Sequence, residues 1–200
     1  MTEAEHYFSE QPSAAARHRR IEFTVEGEHF PLTTASGVFS GDRLDPGTAV
    51  LLDKAPLPSG PGEYLDLGCG YGPITMVLAT FTSGTVHAVD VNTRALDLVR
   101  RNAADLGVSD RVHACEPTDV DNSVRFDQIW SNPPIRVGKQ ALHELLSTWL
   151  PRLAPGGIAW LVVARHKGAD SLTDWLTAQG FPTEKHASQK GYRVLRTTRA

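Results

Sequence analysis

The spacing of apolar and polar positions changes along the chain and divides it into two parts. Near the start, residues 21–25 and 29–32 alternate, or nearly so, on either side of Glu26-Gly27-Glu28, which predicts a small β-hairpin. From Glu63 onward, short apolar runs alternate with segments whose apolar residues recur every three or four positions. This alternation is typical of parallel strands joined by crossover helices. We therefore expect an α/β domain with a doubly wound, mostly parallel sheet behind an N-terminal hairpin.

The same pattern places the individual elements of this Rossmann-like core. A short helix opens at Asp45-Pro46 and runs to Leu52, because Asp is a favoured N-cap and Pro a favoured first helical residue. The last part of the chain predicts a second hairpin and hence an antiparallel C-terminal strand. The predicted strands of the core and of that hairpin are 64–67, 85–89, 111–115, 126–131, 158–163, 181–187 and 193–198, and the predicted helices are 73–81, 93–106, 139–153 and 169–179.

Length and composition restrict the classes of protein that fit. At 200 residues, 40% hydrophobic and 22% charged, we expect a single domain over residues 21–200, after a flexible segment over 1–20 that lacks periodicity. No apolar run is long enough to cross a bilayer and the start lacks an export signal, so a cytoplasmic protein without membrane contact is predicted. The two cysteines and eight histidines lack metal-ligand spacing, so we expect reduced thiols and no metal site.

A glycine-rich loop follows the first core strand and offers space for a ligand. Gly68, Gly70 and Gly72 remove side chains where the backbone must turn sharply and where a flat cofactor must lie close. The pattern alone is weak, since dinucleotide enzymes share it and some matches are mere turns. Asp66, two residues before the loop, is placed for the amino-acid end of a sulfonium cofactor, or as a brace for the loop, and the two roles are compatible.

Acidic residues at the ends of the next two strands extend this cofactor site. Asp90 can accept two hydrogen bonds from a ribose diol. Its alternative role is to interact favourably with the positive end of the dipole of the helix that begins at Thr93. Asn92 is the better cap for that helix, and we also count Asn92 among the cofactor-binding residues. Glu116 or Asp119 is a candidate for holding an adenine, although both are equally well explained as loop carboxylates.

The tetrapeptide Ser131-Asn132-Pro133-Pro134 ends a buried strand and is the candidate for catalysis. Prolines cannot extend a sheet, so the backbone turns outward at the strand's carboxyl end, where open α/β sheets bind ligands. The side-chain oxygen of Asn132 and the carbonyl of Pro133 can accept both protons of an exocyclic amine and aim its lone pair at a sulfonium methyl. If the sequence had no glycine loop, this tetrapeptide would be better interpreted as a turn that ends the strand and has no catalytic role.

These residues resemble the class I S-adenosylmethionine-dependent methyltransferases. The resemblance covers about residues 30–198 and implies S-adenosylmethionine as the cofactor. More narrowly, the chain is similar to the single-domain form of the small-subunit ribosomal RNA guanine-N2 methyltransferase family, which implies ribosomal RNA or the small ribosomal subunit as the partner. The motifs that carry it are Asp66-Leu67-Gly68-Cys69-Gly70-Tyr71-Gly72, Asp90, Gly37-Val38-Phe39-Ser40, Leu44-Asp45-Pro46-Gly47-Thr48, Ser131-Asn132-Pro133-Pro134-Ile135-Arg136 and Gly138-Lys139.

The sequence departs from that family at the acceptor side. Several members have an aromatic residue after the two prolines, where this chain has Ile135, which can supply apolar contact but no stacking. Our hypothesis is that Phe39 supplies the missing face. Arg136 and Lys139 either contact phosphates that flank a flipped base or are solvated charges at a helix start. We expect a protein without the second, N-terminal domain that the larger family members carry.

Charge does not decide between acceptors. The net charge of −3 is unusual for a nucleic-acid binder, yet residues 17–20 and the final segment after Glu184 are locally basic. These regions are either RNA contacts or solvated faces. The alternatives to an RNA enzyme are an N-methyltransferase acting on a protein glutamine or a small-molecule amine, and a cofactor-binding module without catalysis. No feature indicates an oligomeric state.

Overall fold

The structure is a computed structural model that describes residues 17–40, 42–134 and 138–199. Two residues predicted to contact the acceptor, Ile135 and Arg136, lie outside the described residues, as does most of the segment 1–20. The first strand begins at His18, three residues earlier than the alternating pattern had suggested.

The predicted N-terminal hairpin is confirmed and forms a separate two-stranded sheet. Strands β1 (His18–Val25) and β2 (Glu28–Ala35) pair antiparallel, and Glu26 and Gly27 between them have φ values of 49° and 85°. Positive φ at both central residues is the tight turn whose twist matches a hairpin. Asn102 fastens the hairpin to the core, because its side chain accepts from the Thr33 N–H at 2.8 Å and donates to the Thr33 carbonyl at 2.9 Å.

The main sheet has seven strands in the order β5-β4-β3-β6-β7-β9-β8. The five strands from β5 to β7 are parallel, and β9 is antiparallel to both of its neighbours, as predicted. The strands are β3 (Glu63–Leu67), β4 (Thr85–Val89), β5 (Val112–Cys115), β6 (Phe126–Ser131), β7 (Leu153–Ala164), β8 (Thr183–Gln189) and β9 (Tyr192–Thr198).

In the part of the chain that the structure describes, five α-helices cover the two faces of this sheet. They are α1 (Pro46–Lys54), α2 (Pro73–Phe81), α3 (Thr93–Asp105), α4 (Lys139–Trp149) and α5 (Ala169–Ala178). Side chains alternate along β3, so Tyr64 packs with α1, α2 and α3 whereas Leu65 and Leu67 pack with α4 and α5. The described residues contain no helix with the length and apolar character to span a bilayer.

The largest departure from the predicted elements lies between α4 and β7. The helix predicted over 139–153 ends at Trp149, and the turn Leu150–Arg152 contains Pro151, which cannot continue the hydrogen-bond ladder. Strand β7 then begins at Leu153 rather than at 158, because Leu153 pairs with Phe126 ahead of a shift in register. The Pro155-Gly156-Gly157 stretch therefore lies within β7, at the shift in register.

The strand order determines where a ligand can lie. From β3 the chain passes to β4 and β5 on one side and then returns to β6 on the other side of β3. At such a reversal the loops diverge and leave a crevice beyond the carboxyl ends of the strands. The ends of β3, β4 and β6 carry the glycine loop, Asp90 and Asn132 respectively, so the three predicted motifs meet at this crevice.

Candidate active site

Asp66, near the end of β3, is the most deeply buried carboxylate of the site, with 1% of its surface exposed. Its Oδ2 accepts hydrogen bonds from the Thr75 N–H at 2.9 Å and the Thr75 hydroxyl at 2.6 Å. Its Oδ1 is buried and has no partner among the described residues. Burial, with a smaller contribution from Asp90, raises the pKa of Asp66 to about 7. One oxygen therefore holds the first turn of α2, directly after the glycine loop, and the other is free to accept a hydrogen bond.

The glycine loop combines open space with close packing. Gly68 and Gly70 have φ values of 75° and 55°, and a Cβ added at either would meet no heavy atom within 4 Å. Gly72 differs, because a Cβ there would lie 3.0 Å from Cγ2 of Val99 in α3. Gly68 and Gly70 thus leave a bare surface for a ligand, whereas Gly72 allows α2 to approach α3.

Asp90 is oriented by backbone groups on both sides. Its Oδ2 accepts from the Gly70 N–H at 2.9 Å and its Oδ1 from the Asn92 N–H at 2.9 Å. Burial is the main cause that raises its pKa. Each carboxylate oxygen can accept more than one hydrogen bond, so the fixed carboxylate still has capacity for the two hydroxyls of a ribose.

The side chain of Asn92 is occupied within the protein. Its Oδ1 accepts from the N–H groups of Arg94 at 3.1 Å and Ala95 at 3.4 Å, which is the predicted cap of α3. Its Nδ2 donates to the Gly37 carbonyl at 3.0 Å. Asn92 therefore links the helix start to the segment before α1, a contact that the sequence did not indicate.

The predicted cofactor fits this half of the site. The unpaired buried Oδ1 of Asp66 suits the cationic amino group of S-adenosylmethionine, the bare loop suits its flat body and Asp90 suits its ribose. Glu116 and Asp119 are both exposed beyond the end of β5. Their role at an adenine stays a prediction.

Asn132 lies just beyond β6, in the part of the site that is predicted to hold the acceptor amine and that we call the acceptor half. Its Nδ2 donates to Oδ1 of Asp45 at 2.7 Å and to the hydroxyl of Thr48 at 3.0 Å. Its Oδ1 accepts no hydrogen bond from the described residues. The hydroxyl of Ser131 donates to the Leu67 carbonyl at 2.7 Å, which ties the ends of β3 and β6 together beside the glycine loop.

Asp45 and Thr48 were not singled out as site residues by the sequence. Asp45 was predicted as the N-cap of α1, and this is confirmed, since its Oδ1 accepts from the N–H groups of Gly47 at 2.8 Å and Thr48 at 3.0 Å. Nearby, the hydroxyl of Tyr71 is buried without a partner among the described residues. Burial and then the charges of Asp45 and Asp42 raise the pKa of this phenol, so it stays neutral.

The segment that precedes α1 connects the two halves of the site. Gly37 is bound to Asn92 at the end of β4, and Asp45 is bound to Asn132 at the end of β6. Since β3 lies between those strands, the segment crosses the carboxyl edge of the sheet above the glycine loop. Phe39 belongs to this crossing and is 46% exposed. Lys139, the first residue of α4, is also exposed.

Comparison with known proteins gives matches over most of the chain. The family model described as Methyltransferase small domain matches residues 29–196. The "Uncharacterized protein YbxB" of Bacillus subtilis is 34% identical, over 96% of this chain and 98% of its own length. The "Ribosomal RNA small subunit methyltransferase C" of Shewanella loihica is also 34% identical, over 72% of this chain but only 42% of its own length.

One solved structure has a closely similar fold. It is the 16S rRNA N2 methyltransferase RsmC of T. thermophilus, in complex with AdoMet and guanosine. The match has a TM-score of 0.79 at 23% identity and covers 94% of this chain and 52% of that protein. This chain therefore corresponds in length to about half of that enzyme.

Proposed function

Because the chain belongs to the methyltransferase small-domain family and uses S-adenosylmethionine as its methyl donor, we propose that it methylates an exocyclic amine, namely N2 of guanine in small-subunit ribosomal RNA. Family membership confirms the resemblance to S-adenosylmethionine-dependent methyltransferases. The acceptor and the roles of individual residues belong to the proposal.

A single observation carries the choice of an amine. Asn132 presents an amide oxygen that no described residue binds, at the strand end next to the glycine loop and Asp66. An exocyclic amine on a purine carries two hydrogens, and its lone pair is delocalised into the ring. Two acceptors that take those hydrogens hold the nitrogen so that its lone pair faces the methyl donor. Asn132 and the adjacent Pro133 carbonyl are these acceptors.

The two halves of the site divide the work of the reaction. Bound S-adenosylmethionine supplies a methyl group on a positively charged sulfur. Asp66 binds the cationic amino group, Asp90 binds the ribose, and the bare faces of Gly68 and Gly70 let the cofactor lie against the backbone. Asn132 and Pro133 orient the amine, and Pro134 keeps the backbone turned outward. The reaction needs no strong base, because positioning supplies most of the rate and the proton leaves afterwards.

A basic patch at the same edge of the sheet favours a nucleic-acid acceptor. Arg165, His166 and Lys167 form an exposed turn directly after β7, the strand next to β6. The N–H of Arg165 donates to the Gly191 carbonyl at 2.8 Å, which brings the exposed Lys190 beside them. We call Arg165, His166, Lys167 and Lys190 the basic rim. None of its members forms an ion pair with another described residue.

The basic rim lies within reach of an acceptor held at Asn132. Ser131 pairs with Leu161, and β7 continues to Ala164, so the rim begins about 13 Å beyond Ser131 along the strand direction. Asp170, the acid closest to the rim in sequence, is bonded to Arg193. The unpaired Arg165, Lys167 and Lys190 at this distance suit the phosphates that flank a target base. Two of the proteins that this chain resembles are named as a small-subunit rRNA methyltransferase and an rRNA N2 methyltransferase, which supports this acceptor.

The decisive experiment is transfer of tritium from labelled S-adenosylmethionine to small ribosomal subunits and to naked rRNA from cells that lack this gene. Nucleoside analysis should find the label in N2-methylguanosine, and the Asn132→Ala protein should give about 1% of that label or less in the same time. Label in protein or in small molecules alone would redirect the assignment to a glutamine or another amine. Cofactor binding without transfer to any fraction would favour a module without catalysis.

A further inference from the structure

The orientation of the Asn132 amide is fixed by residues at the start of α1. Both hydrogens of its Nδ2 have acceptors, Oδ1 of Asp45 at 2.7 Å and the hydroxyl of Thr48 at 3.0 Å. An ionised carboxylate can only accept, so the end of the amide that faces Asp45 must be the NH2 group. The amide oxygen is thereby turned away from α1.

Asp45 is itself held rigidly. The same Oδ1 also accepts from the N–H groups of Gly47 and Thr48, so one carboxylate oxygen collects three hydrogen bonds. A Cβ added at Gly47 would lie 2.9 Å from Cε1 of Tyr192 and 3.0 Å from that carboxylate oxygen. The first turn of α1 is thus closely packed between Tyr192 of β9 and Asn132 at the end of β6.

We propose that Asp45 is a positioning residue for methyl transfer, assisted by Thr48, that presents the Asn132 oxygen to the acceptor amine. Without Asp45 the amide can rotate and offer its NH2 group, which would repel the N–H groups that it has to bind. The negative charge of Asp45 also polarises the amide and makes its oxygen a stronger acceptor. This inference rests on the proposed role of Asn132 toward an amine.

The variants that test it keep the helix cap and change only the contact with Asn132. Asp45→Asn keeps an acceptor oxygen, which the Gly47 and Thr48 N–H groups hold in place, so kcat should stay within about tenfold of the original. Asp45→Ser still caps α1 but is too short to reach Asn132, so kcat should fall about 10- to 100-fold. The Kd for S-adenosylmethionine and the melting temperature should hardly change in either protein.

A double-mutant cycle distinguishes a role of Asp45 in positioning Asn132 from a general role of Asp45 in stabilising the fold. Asn132→Ser retains an accepting hydroxyl and some activity but does not reach Asp45. In that background Asp45→Ser should cause no further loss of kcat, because the contact through which Asp45 acts is already gone. An equal loss in both backgrounds, or full kcat in Asp45→Ser alone, would overturn the inference.

A second measurement does not depend on the acceptor. In the protein labelled with 15N, the two side-chain amide protons of Asn132 are identified by their loss in Asn132→Ser. Asp45→Ser should shift one of these resonances and Thr48→Val the other, because each variant removes one acceptor. Unchanged resonances in both variants would refute the contacts. If the original protein methylates no RNA while these shifts occur, the proposed acceptor is wrong and the role of Asp45 at Asn132 stands.

Discussion

The cofactor half and the acceptor half of the site are assembled over very different distances along the chain. Asp66 is braced by Thr75, nine residues away, and Asp90 by Gly70, 20 residues away. Asn132 is held by Thr48 and Asp45, which are 84 and 87 residues away. The first half is contained in one strand, loop, helix and strand. The second exists only after α1 has packed beside the end of β6.

This difference has a consequence for function. Local backbone contacts set the cofactor half, so it should tolerate changes elsewhere in the fold. The acceptor half depends on the packing of α1, and a small displacement there reaches the reacting atoms, where about 1 Å can cost a hundredfold in rate. Methyl transfer should therefore be easier to lose by mutation than cofactor binding.

The sharpest test of this division is Asn132→Ala. We expect kcat for methyl transfer to fall about 100- to 1000-fold, because the amine loses a positioned acceptor. The Kd for S-adenosylmethionine, measured by calorimetry, should stay within a few-fold, since no cofactor contact is assigned to this side chain.

Asp90→Ala is the matched variant on the other side. It should weaken cofactor binding by about 10- to 100-fold and leave kcat at saturating cofactor much closer to normal. If both variants lower affinity and kcat in the same proportion, the two halves do not act separately and the division fails.

The pH dependence of S-adenosylmethionine binding tests the proposed role of Asp66. Its pKa in the free protein is about 7 against an ordinary 3.8, so the folded chain binds this proton more tightly than the unfolded one. The contribution of Asp66 to the free energy of unfolding is therefore fully present below about pH 4 and is lost as the pH rises to about 7. In the proposed role, Asp66 must be ionised to bind the cationic amino group of the cofactor. Affinity should thus fall by up to about tenfold per pH unit below 7.

Asp66→Asn is the control for that titration. It removes the titrating group and keeps a side chain of the same shape, so its weaker affinity should be independent of pH between about 5 and 8. A profile of the same slope in this variant would assign the proton to another group, such as Asp90, whose pKa is also raised by burial.

The sequence predicted the secondary structure around the cofactor half because that half is local, while the cofactor roles of its residues stay predictions. Asp66, the glycine loop and Asp90 lie in one strand–loop–helix–strand unit, whose periodicity gave the elements within one or two residues. Asn92 was identified as a cap for the same reason.

The acceptor half was only partly predictable. Asn132 was recognisable because an amide and two prolines end a buried strand, but nothing in its neighbourhood indicates Asp45 or Thr48. Their contact depends on how α1 docks, which is a property of the whole fold. The basic rim was missed for a similar reason, because the pairing of β7 with β9 joins residues 165–167 to the turn at Lys190. The start of β7 at Leu153 was also missed, because Pro155, Gly156 and Gly157 do not favour a strand, yet β7 continues through them across a shift in register.

Phe39 lies in the segment that connects the two halves of the site. Substituting it tests whether this segment contacts the target base. Its exposed ring is the candidate face for stacking on the target base. Phe39→Ala should lower kcat/KM for RNA by about 2- to 10-fold, as expected for one lost aromatic contact, with an unchanged cofactor Kd. Phe39→Trp should retain activity. An equal loss of transfer and of cofactor affinity in Phe39→Ala would reject stacking and place the ring on the cofactor.

The smallest effect that we expect concerns the basic rim, which lies outside both halves of the site. Lys167→Ala should weaken RNA binding only a few-fold, but the slope of log affinity against log salt should become shallower by about 0.7–0.9, the release of one counterion. Lys185→Ala is the matched control, because it removes an equally exposed lysine from β8 away from the rim end of that strand. A shallower slope for Lys167 alone would mean that RNA phosphates cross the edge of the sheet next to Asn132. Equal changes for both lysines would mean that the attraction is diffuse, and that α1 and the end of β6 alone select the base.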